Sequence, residues 1–544
     1  MAGPAGIEPT PLVSKTSMIS ISPRAVLINI NMDIILAIVP RIQDDFGYTP
    51  AGPALLKGSL ESQGFSAGVI DFNAQLEQRL SGKDLIAVSN YFMTSDMYHK
   101  DIGGLALKEV DLWAQQIIEA NPKWLGISVF SYNSQRAARL LSIRVKQLNP
   151  NIKIVIGGAG IATDYVFSET LKAERIIDAF IRGEGELALV ELLKGNTTYP
   201  GINGIPFQQI DNLESIPYPN YDDYELVTYT NQRGLVALPI TGSRGCVRRC
   251  TFCDIASQWP KYRFRSGKSI AGEIKHQVER YGVRGFRFTD SLINGSLKAF
   301  RDMVYELAEF RDSLPDDKKF YWDSHFIVRG RREMPPELFD VMQRSGANLM
   351  LMGVESGSQS VRDHMKKGFT QDQLDYCMEQ FSRTGIKTRF LMIVGYPTET
   401  AQDFQDSLDM FTKYLPYANN GTIDEINLGL TLNLLPNTPL HDKRVEYGLV
   451  QEENHINNWV CKTNPELDYK ERLRRRIMFQ EHVETLGYKV FENKNYTKQL
   501  FLAWSEVSKM SKPVVFDDFK YDRDAGGLVA TPSSNRKILE IVKA

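Results

Sequence analysis

Three cysteines lie within eight residues of one another near the middle of the chain. Cys246, Cys250 and Cys253 are separated by three and then by two intervening residues. Three thiolates fall one short of the four-ligand set of an electron-transfer cluster or a structural zinc site. The spacing therefore indicates a metal centre that keeps one coordination position open. A zinc site completed by a distant histidine, one of seven in the chain, is the alternative.

The other two cysteines, Cys377 and Cys461, are isolated, so the five do not form a disulfide framework. This usage suits a reducing compartment and metal ligation. Cys377 shares a helical pattern with Leu374 and Phe381, and we expect it to be a small buried apolar residue. The 544 residues carry 64 basic and 66 acidic side chains, a net charge of -2. No overall field therefore favours nucleic acid or an anionic membrane.

The start of the chain shows no targeting signal. Residues 1–20, which we expect to be a disordered leader, lack the basic start and the continuous apolar run of a secretory signal. The apolar stretch from Ala25 to Pro40 is too short to cross a bilayer and contains Asn29, Asn31 and Asp33. We therefore expect no membrane span and a cytoplasmic location.

The first part of the chain alternates short apolar runs with helix-like stretches. This pattern predicts a parallel sheet covered by helices on both faces, which is a doubly wound, Rossmann-like domain over residues 21–199. Glycines follow two of the runs, at 157–160 and 183–185, where backbone can approach a ligand beyond the carboxyl edge of the sheet. Alone, each glycine cluster is more often only a tight turn. The predicted strands are Val26–Ile30, Ala67–Phe72, Leu125–Phe130, Lys153–Ile156 and Ala179–Ile181.

Residues 200–234 are rich in proline, asparagine and aspartate without periodicity, which predicts a linker. A second series of six strand and helix units follows and predicts a partial (β/α)6 TIM-type barrel over residues 235–445, with its chemistry at the carboxyl ends of the strands. The helix after the fifth strand is marked by a capping box of Thr400 and Asp403. The six predicted strands are Leu235–Thr241, Gly285–Asp290, Phe320–Phe326, Asn348–Val354, Lys387–Gly395 and Glu425–Leu434.

Residues 446–544 are polar and prone to helix formation, which predicts a mainly helical carboxyl-terminal region. A basic run at Arg472, Arg474, Arg475 and Arg476 could contact a phosphate-bearing partner. A solvated helix face is the more common explanation of such a run, and we expect that here.

The cysteine loop resembles that of a known family. Residues 243–253, with Phe252 directly before the third cysteine, are similar to the cluster loop of radical S-adenosylmethionine (SAM) enzymes, although Val247 stands where many relatives have proline. The resemblance implies that Cys246, Cys250 and Cys253 hold a 4Fe-4S cluster. The open iron would then be chelated by the amino and carboxylate groups of SAM.

Further motifs at the ends of predicted strands resemble the same family. Tyr262–Ser266 followed by Glu273 looks like its post-cluster segment, and Phe288–Asp290 like the end of its second strand. Gly353–Gly357 is similar to the fourth-strand motif, and Gly395–Thr400 to the fifth-strand loop. The resemblance implies that SAM is bound by Phe252, Asp290, Glu355 and Gly395.

Asp290, Trp322, Asp323, His325 and Arg329 lie at or beyond predicted strand ends, where contacts with substrate or cofactor arise. Asp290 and His325 are the candidate catalytic residues. A general-base role for His325 rests on its position only, and a histidine hydrogen-bonded within the barrel is the more common case.

The first domain resembles the cobalamin-binding domain that precedes the barrel in one subgroup of the superfamily. The similarity implies that Gly157, Gly158, Gly183 and Glu184 contact cobalamin. The DxHxxG motif that ligates cobalt in other cobalamin domains is missing, as is common in this subgroup. Loss of cobalamin binding therefore remains open. The similar segments are Gly47–Pro50, Leu60–Gly64, Val69–Asn73, Gly126–Ser128, Gly157–Gly158 and Arg182–Glu186.

The resemblance implies an enzyme that reductively cleaves SAM, and in this subgroup most often a cobalamin-dependent methyltransferase acting on an unactivated carbon. A cyclase, rearrangement or oxidative enzyme without methyl transfer is the alternative. A different class of protein, a cobalamin or iron-sulfur sensor that binds its cofactor without catalysis, is a further alternative. A methylthiotransferase would need three more cluster cysteines in its first domain, and no cysteine precedes Cys246.

The expected partners are a small-molecule or peptide substrate and a flavodoxin or ferredoxin-type electron donor. No basic groove or aromatic platform in the sequence points to nucleic acid.

Overall fold

The computed structural model describes most of the chain. The described residues form two compact units, the first mainly from residues 52–208 and the second mainly from residue 229 onward. The described ranges are 32–40, 49–93, 100–162, 164–230, 236–429, 431–451, 456–491, 497–498, 501–502, 519–522 and 527–530.

The first unit contains a parallel five-stranded sheet with the strand order β2-β1-β3-β4-β5. This is a doubly wound order, and the order reverses between β1 and β3. The strands are β1 (Ile34–Ile38), β2 (Ala67–Asp71), β3 (Trp124–Ser128), β4 (Lys153–Gly157) and β5 (Ala179–Ile181). The helices are α1 (Ala51–Glu61), α2 (Phe72–Arg79), α3 (Gly82–Met93), α4 (Lys100–Ala120), α5 (Gln135–Leu148), α6 (Tyr165–Ala173) and α7 (Gly185–Leu193).

The doubly wound prediction is confirmed, and the later four predicted strands match β2 to β5 within two residues. Their near-continuous apolar runs are buried on both faces of the sheet, with Ile35, Leu125 and Ile154 fully buried. The predicted strand Val26–Ile30 lies outside the described residues, and β1 begins four residues after it.

The second unit contains a parallel six-stranded sheet whose strands neighbour one another in chain order, from β6 to β13. The first and last strands do not pair with each other, so the barrel is partial, as predicted. The strands are β6 (Ala237–Ile240), β9 (Gly285–Phe288), β10 (Tyr321–Phe326), β11 (Ala347–Glu355), β12 (Lys387–Met392) and β13 (Ile423–Leu428), while β7 (Ser243–Arg244) and β8 (Arg263–Phe264) form a separate antiparallel pair. The helices are α8 (Ile255–Gln258), α9 (Gly267–Tyr281), α10 (Leu297–Asp312), α11 (Pro336–Arg344), α12 (Gln359–His364), α13 (Gln371–Thr384), α14 (Ala401–Lys413) and α15 (Leu415–Asn419).

Two local predictions in this unit are confirmed. The capping box of Thr400 and Asp403 begins α14, because the side chain of each residue accepts the backbone N–H of the other. Cys377 lies fully buried in α13. The described core of the second unit therefore follows the apolar periodicity of the sequence.

Residues 200–228 of the segment predicted as a linker pack within the two compact units. Residues 200–208 and 217–228 belong to the first unit, and residues 209–216 belong to the second. In the first unit, Asp223 is joined to Lys57 by an ion pair and accepts the backbone N–H of Val69 at 2.9 Å. Residues 217–228 are therefore part of the first unit's fold.

Within its described residues, the carboxyl-terminal region contains one long helix, α17 (Tyr469–Thr485), as expected, and two antiparallel strand pairs that the sequence did not predict. After α17, Val490 forms a parallel bridge to Ile426 and extends the sheet beyond β13. The remaining elements are α16 (Pro439–Asp442), β14 (Leu449–Gln451), β15 (Trp459–Cys461), β16 (Phe519–Asp522) and β17 (Gly527–Ala530).

Candidate active site

The cysteine loop follows β6 and the short strand β7. Gly245 opens it with a φ of 92°, and a Cβ there would lie 3.0 Å from the backbone oxygen of Lys261, so only glycine fits this turn. Cys246, Cys250 and Cys253 are free thiols of intermediate exposure. The loop therefore presents three thiols beyond the carboxyl end of a barrel strand, where the sequence predicted a metal centre.

Asp290 holds the base of this loop. Its two carboxyl oxygens accept the backbone N–H of Gly242 at 2.8 Å and the hydroxyl of Ser243 at 2.5 Å. Burial raises the pKa of this carboxyl to about 7. Both oxygens of Asp290, a candidate for SAM contact and for catalysis, are thus engaged by the residues that carry the loop.

The post-cluster segment also supports the loop. Arg265 forms a buried ion pair with Glu273 of α9 and donates to the backbone oxygen of Thr241 at 3.2 Å. Tyr262 lies so close to Gly295 that a Cβ at Gly295 would come within 2.2 Å of its hydroxyl oxygen. These contacts fix the chain segments directly before and after the cysteine loop.

Thr251 connects the loop to two other parts of the barrel mouth. Its backbone N–H donates to Met365 at 3.1 Å, and its oxygen accepts from the N–H of Leu440 at 2.7 Å. Its buried hydroxyl lies 2.8 Å from the Tyr396 hydroxyl in the fifth-strand loop. The cysteine loop and the fifth-strand loop are therefore directly joined.

Lys367 and Glu355 form an ion pair of 3.0 Å beside the thiols. Burial alone would lower the pKa of Lys367, but the charges of Glu355 and Cys250 raise it above its ordinary value. Lys367 also lies 5.8 Å from the ring of Phe252, which is partly buried against an apolar cluster. Cys250, Cys253, Phe252 and Glu355 thus lie around one largely buried cation.

Burial raises the pKa of Cys250 and raises that of Cys253 to about 11. A buried, protonated thiol loses its proton when it binds a metal ion. The three thiols and the adjacent cation suit a cluster, because three thiolates that bind separate irons need not converge on one point. Among the residues that the structure describes, no group of three or more His, Cys, Asp and Glu side chains is placed to hold a single metal ion.

Arg248 is a second cation at the loop. Its backbone N–H donates to the Cys246 sulfur at 3.3 Å, and its guanidinium lies on Gly368, where a Cβ would come within 2.2 Å of Nη1. Its Nε atom is buried without a hydrogen-bond partner in the described structure. Burial and the charge of Arg329 lower its pKa.

Glu355 ends β11 in the left-handed region, with a φ of 68°. This conformation is uncommon for a residue with a side chain and is found at sites where the surrounding structure imposes it. The backbone oxygen of Glu355 accepts from Ile393 at 2.9 Å. The fourth and fifth strands are therefore linked where the family motifs place SAM.

Side chains of α17 contact the fifth-strand loop. Glu399 accepts the backbone N–H of Gly395 at 3.1 Å and pairs with Arg475 at 3.0 Å. A Cβ at Gly395 would lie 2.5 Å from the Arg472 side chain. Burial raises the pKa of Glu399 to about 7.

The expectation that the basic run forms a solvated face is wrong for three of its four arginines. Arg472 and Arg476 are fully buried, and Arg475 is 8% exposed. Arg472 stacks on Trp459 at 3.7 Å, and Arg476 donates to the backbone oxygens of Leu428 and Gly429. Each guanidinium is buried because it donates to carbonyl or carboxylate groups, which belong to the segment before α17 for Arg472 and to the barrel for Arg475 and Arg476. Arg474 alone is exposed, beside Glu471.

His325 lies on β10, and burial with the charge of Arg287 lowers its pKa to about 4. Its ring is therefore neutral near pH 7. Asp323 on the same strand accepts from Asn348 at 2.7 Å, and Trp322 is fully buried. Arg329 pairs with Glu333 at 2.7 Å.

In the first unit, the glycines are required by packing between loops. A Cβ at Gly158 would lie 2.6 Å from the Val129 backbone, and one at Gly183 would lie 2.5 Å from the ring of Phe207. Gly157 has ordinary clearance, and Glu184 is buried. The same carboxyl edge of the sheet exposes three aromatic side chains, which give a flat cofactor apolar surface: Phe130, Tyr132 and Tyr165.

Sequence reasoning missed Lys367, Arg248, Glu399 and Arg475. Lys367 stands 12 residues after Glu355, and neither its type nor its spacing distinguishes it from other surface lysines. The arginines of α17 did carry a signal. One face of this helix carries Arg472, then Arg475 or Arg476, then Phe479 and Val483. The two apolar residues mark that face as buried.

Comparisons with known proteins match this arrangement. The Radical SAM superfamily model matches residues 240–411, and the B12 binding domain model matches residues 96–193. An anaerobic magnesium-protoporphyrin IX monomethyl ester cyclase of Rubrivivax gelatinosus is 25% identical over 325 residues, which are 56% of each chain. An uncharacterised methyltransferase of Pyrococcus horikoshii is 24% identical over 55% of this chain and 66% of its own. The matched part of the chain thus spans only about half to two thirds of the length of these relatives.

Two solved structures share the fold. The radical SAM methyltransferase TsrM from Kitasatospora setae, with cobalamin and a [4Fe-4S] cluster bound, has a TM-score of 0.54 at 18% identity and covers 78% of this chain and 81% of its own. The cobalamin-dependent radical enzyme OxsB, with aqua-cobalamin and SAM bound, has a TM-score of 0.61 at 15% identity and covers 88% of this chain and 71% of its own.

The barrel with its three-cysteine loop is a radical SAM domain. The chain therefore combines a radical SAM domain with a B12-binding domain that precedes it. The two domains imply three cofactors: a 4Fe-4S cluster, SAM and cobalamin. Within the described residues, no helix combines the length and apolar character needed to span a membrane.

Proposed function

We propose that this protein reductively cleaves SAM at a 4Fe-4S cluster held by Cys246, Cys250 and Cys253, and that it methylates an unactivated carbon with cobalamin. One observation carries the proposal. Three free thiols lie on one loop, and two of them, Cys250 and Cys253, lie near a largely buried lysine, Lys367, that is paired with the fourth-strand glutamate, Glu355. A site with three thiolates, one open position and an adjacent fixed cation suits an anionic chelate of SAM on the cluster.

When bound, the cluster and SAM supply a 5′-deoxyadenosyl radical, and cobalamin supplies the methyl group. The chain's own residues bind and orient. Asp290 and Thr251 fix the cysteine loop, and Lys367 holds Glu355 toward the thiols. Gly395 and its supports from α17 shape the fifth-strand side of the SAM site. Catalysis then rests on position and on exclusion of water, because the reactive chemistry belongs to the cofactors.

Cobalamin binding is proposed at the carboxyl edge of the first unit's sheet, beside Gly157 and the exposed rings of Phe130 and Tyr132. Gly158, Gly183 and Glu184 act there through the loops that they shape. The domain limits 21–199 and 235–445 are proposed as the cobalamin-binding and barrel domains. A reducing partner of the flavodoxin or ferredoxin type and a small-molecule or peptide substrate complete the proposal.

Anaerobic reconstitution tests this function. Protein loaded with iron, sulfide and cobalamin is incubated with dithionite and SAM, and 5′-deoxyadenosine is measured by mass spectrometry. We expect the Cys246→Ala, Cys250→Ala and Cys253→Ala variants to lose the cluster absorbance and the product. Cys377→Ala is the matched control, because this cysteine is buried in α13. Wild-type protein that binds iron but leaves SAM intact would show a sensor instead.

A cyclase or rearrangement without methyl transfer is the second candidate, favoured by the sequence similarity to the magnesium-protoporphyrin cyclase. Methyl-labelled SAM separates the two. Transfer of the label to a product together with stoichiometric cobalt supports methylation. Formation of 5′-deoxyadenosine by cobalt-loaded protein without transfer of the label to any product supports the second candidate and contradicts the first.

A further inference from the structure

One layer of side chains inside the barrel contains a histidine, an arginine and a glutamate. The sheet register places His325 beside Leu351, Leu351 beside Arg389, and Arg389 beside Glu425. The next layer along the strands faces the helices, since Phe326 packs on Phe381 of α13. Because side chains alternate between the faces of a strand, the layer that contains His325 faces the barrel interior.

His325 offers this interior an acceptor without a partner. Its Nδ1 atom is buried and has no hydrogen-bond partner in the described structure. The ring also interacts with the backbone of Asp290, and since Nδ1 has no partner we assign this interaction to Nε2. A neutral ring that donates Nε2–H to the Asp290 carbonyl leaves Nδ1 as a lone-pair acceptor. This atom therefore calls for an N–H or O–H donor.

Arg389 offers a donor without a partner two strands away. Its Nη2 lies 2.5 Å from Glu425 and 3.6 Å from Asp424, so its charge is already balanced by carboxylates. Its Nε atom is buried without a hydrogen-bond partner in the described structure. The Nε–H group therefore suits a neutral acceptor such as a carbonyl oxygen better than a second anion.

We propose that this layer binds an amide of the substrate, whose N–H donates to His325 Nδ1 and whose carbonyl accepts from Arg389 Nε–H. The inference rests on the proposed function, whose substrate class it specifies as peptide-like or amide-bearing. The strands of His325 and Arg389 are two strand spacings apart, about 9–10 Å between their backbones, and an amide with a hydrogen bond at each end can span a gap of this order. Leu351, a buried apolar residue, lies on the strand between those of His325 and Arg389. An alkyl lipid chain offers neither group.

A matched pair of probes tests this proposal. N-methylacetamide and methyl acetate have nearly the same shape and both carry a carbonyl, but only the amide has an N–H. Each is titrated into anaerobic holoprotein with 15N-labelled histidines, and the His325 Nδ1 resonance is assigned by its loss in His325→Gln. We expect the amide to shift this resonance with a dissociation constant about fivefold below that of the ester, the effect of one hydrogen bond.

Variants separate recognition from structure. His325→Gln keeps a donor toward Asp290 but removes the Nδ1 acceptor, so the preference for the amide should fall to about one. His325→Asn restores an acceptor near the Nδ1 position and should recover it in part. Arg389→Lys keeps the ion pair with Glu425, lacks the Nε–H, and should weaken both probes equally. His276→Gln on α9 is the control and should change nothing.

Equal binding of the two probes, or an Nδ1 resonance that neither probe moves, would overturn the proposal and leave water as the occupant. Cleavage of SAM and cobalt content are measured on the same preparations. Normal SAM cleavage without an amide preference rejects the substrate class alone. An amide preference in protein that does not cleave SAM rejects the proposed function alone.

Discussion

Arg475 of α17 reaches across to Glu399 in the fifth-strand loop, with 3.0 Å between Nη1 and Oε1. The other oxygen of Glu399 accepts the backbone N–H of Gly395 at 3.1 Å. Arg475 also donates to the backbone oxygens of Glu399 and Thr400, each at 3.1 Å. A residue from outside the barrel thus determines where the loop that is proposed to border SAM can lie.

Replacement of Arg475 should destabilise the protein and loosen the SAM site. Arg475→Gln removes the cation beside buried Glu399, whose pKa is already about 7, so the carboxyl takes up a proton and the lost hydrogen bonds cost about 1–3 kcal/mol. We expect a lower free energy of unfolding in urea and weaker SAM binding by equilibrium dialysis. Arg474→Gln is the control, since this neighbouring arginine is exposed, and it should change stability by less than about 0.5 kcal/mol. Equal behaviour of the two variants would show that Arg475 supports nothing in the barrel.

The sequence predicted the strands well and the supporting side chains poorly, for a physical reason. Parallel strands buried on both faces must be apolar along their length, so runs such as Lys153–Ile156 reveal themselves without knowledge of the fold. The cysteine spacing is equally local. Lys367 pairs with Glu355 because the segment that contains α12 folds back and places it beside a residue 12 positions earlier. No local pattern in the sequence encodes this pairing.

The arginines of α17 illustrate the other limit. Arg472 and Arg476 occupy the same helical face as Phe479 and Val483, which marks that face as buried. The charge of the arginines suggested solvent instead. Their burial depends on backbone carbonyls at the end of β13 and in the segment before α17, and these become known only once the fold brings them together.

The ionisation of Asp290 should make stability depend on pH. Its pKa is about 7 in the folded protein, raised by burial from an ordinary value of 3.8. The folded state therefore holds the proton more tightly, and its stability falls as pH rises from about 4 to 7, by at most about 1.4 kcal/mol for each pH unit. Above pH 7 this contribution is constant.

The measurement compares wild-type protein with Asp290→Asn, which does not titrate, in urea unfolding at pH 5, 6, 7 and 8. The difference in unfolding free energy between the two should decrease up to pH 7 and then level off. Other titrating groups cancel in this difference. A constant difference across the series would show that Asp290 keeps an ordinary pKa, and a rising one would reverse the sign of the argument.

Arg248 should raise the reduction potential of the cluster. Reduction adds negative charge beside the Cys246 and Cys250 sulfurs, and a half-buried guanidinium next to them favours the reduced state. We expect Arg248→Gln to shift the midpoint potential to more negative values, on the order of tens of millivolts. Arg249→Gln is the control on the same loop, because Arg249 is exposed and donates to Pro260. EPR-monitored redox titration measures both, and equal potentials would contradict the prediction.

Gly395 should tolerate alanine less well than a glycine of the same backbone conformation elsewhere. Gly395 and Gly421 have φ values of 84° and 79°, so alanine strains both positions, by about 1–2 kcal/mol. At Gly421 nothing lies within 4 Å of the added Cβ, whereas at Gly395 the Arg472 side chain lies at 2.5 Å. Gly395→Ala must therefore also displace Arg472 from Trp459 or move the loop. We expect a larger loss of stability for Gly395→Ala and a loss of SAM affinity that Gly421→Ala does not show. If both variants lost stability equally and bound SAM equally, the contact between α17 and the fifth-strand loop would have no part in shaping the site.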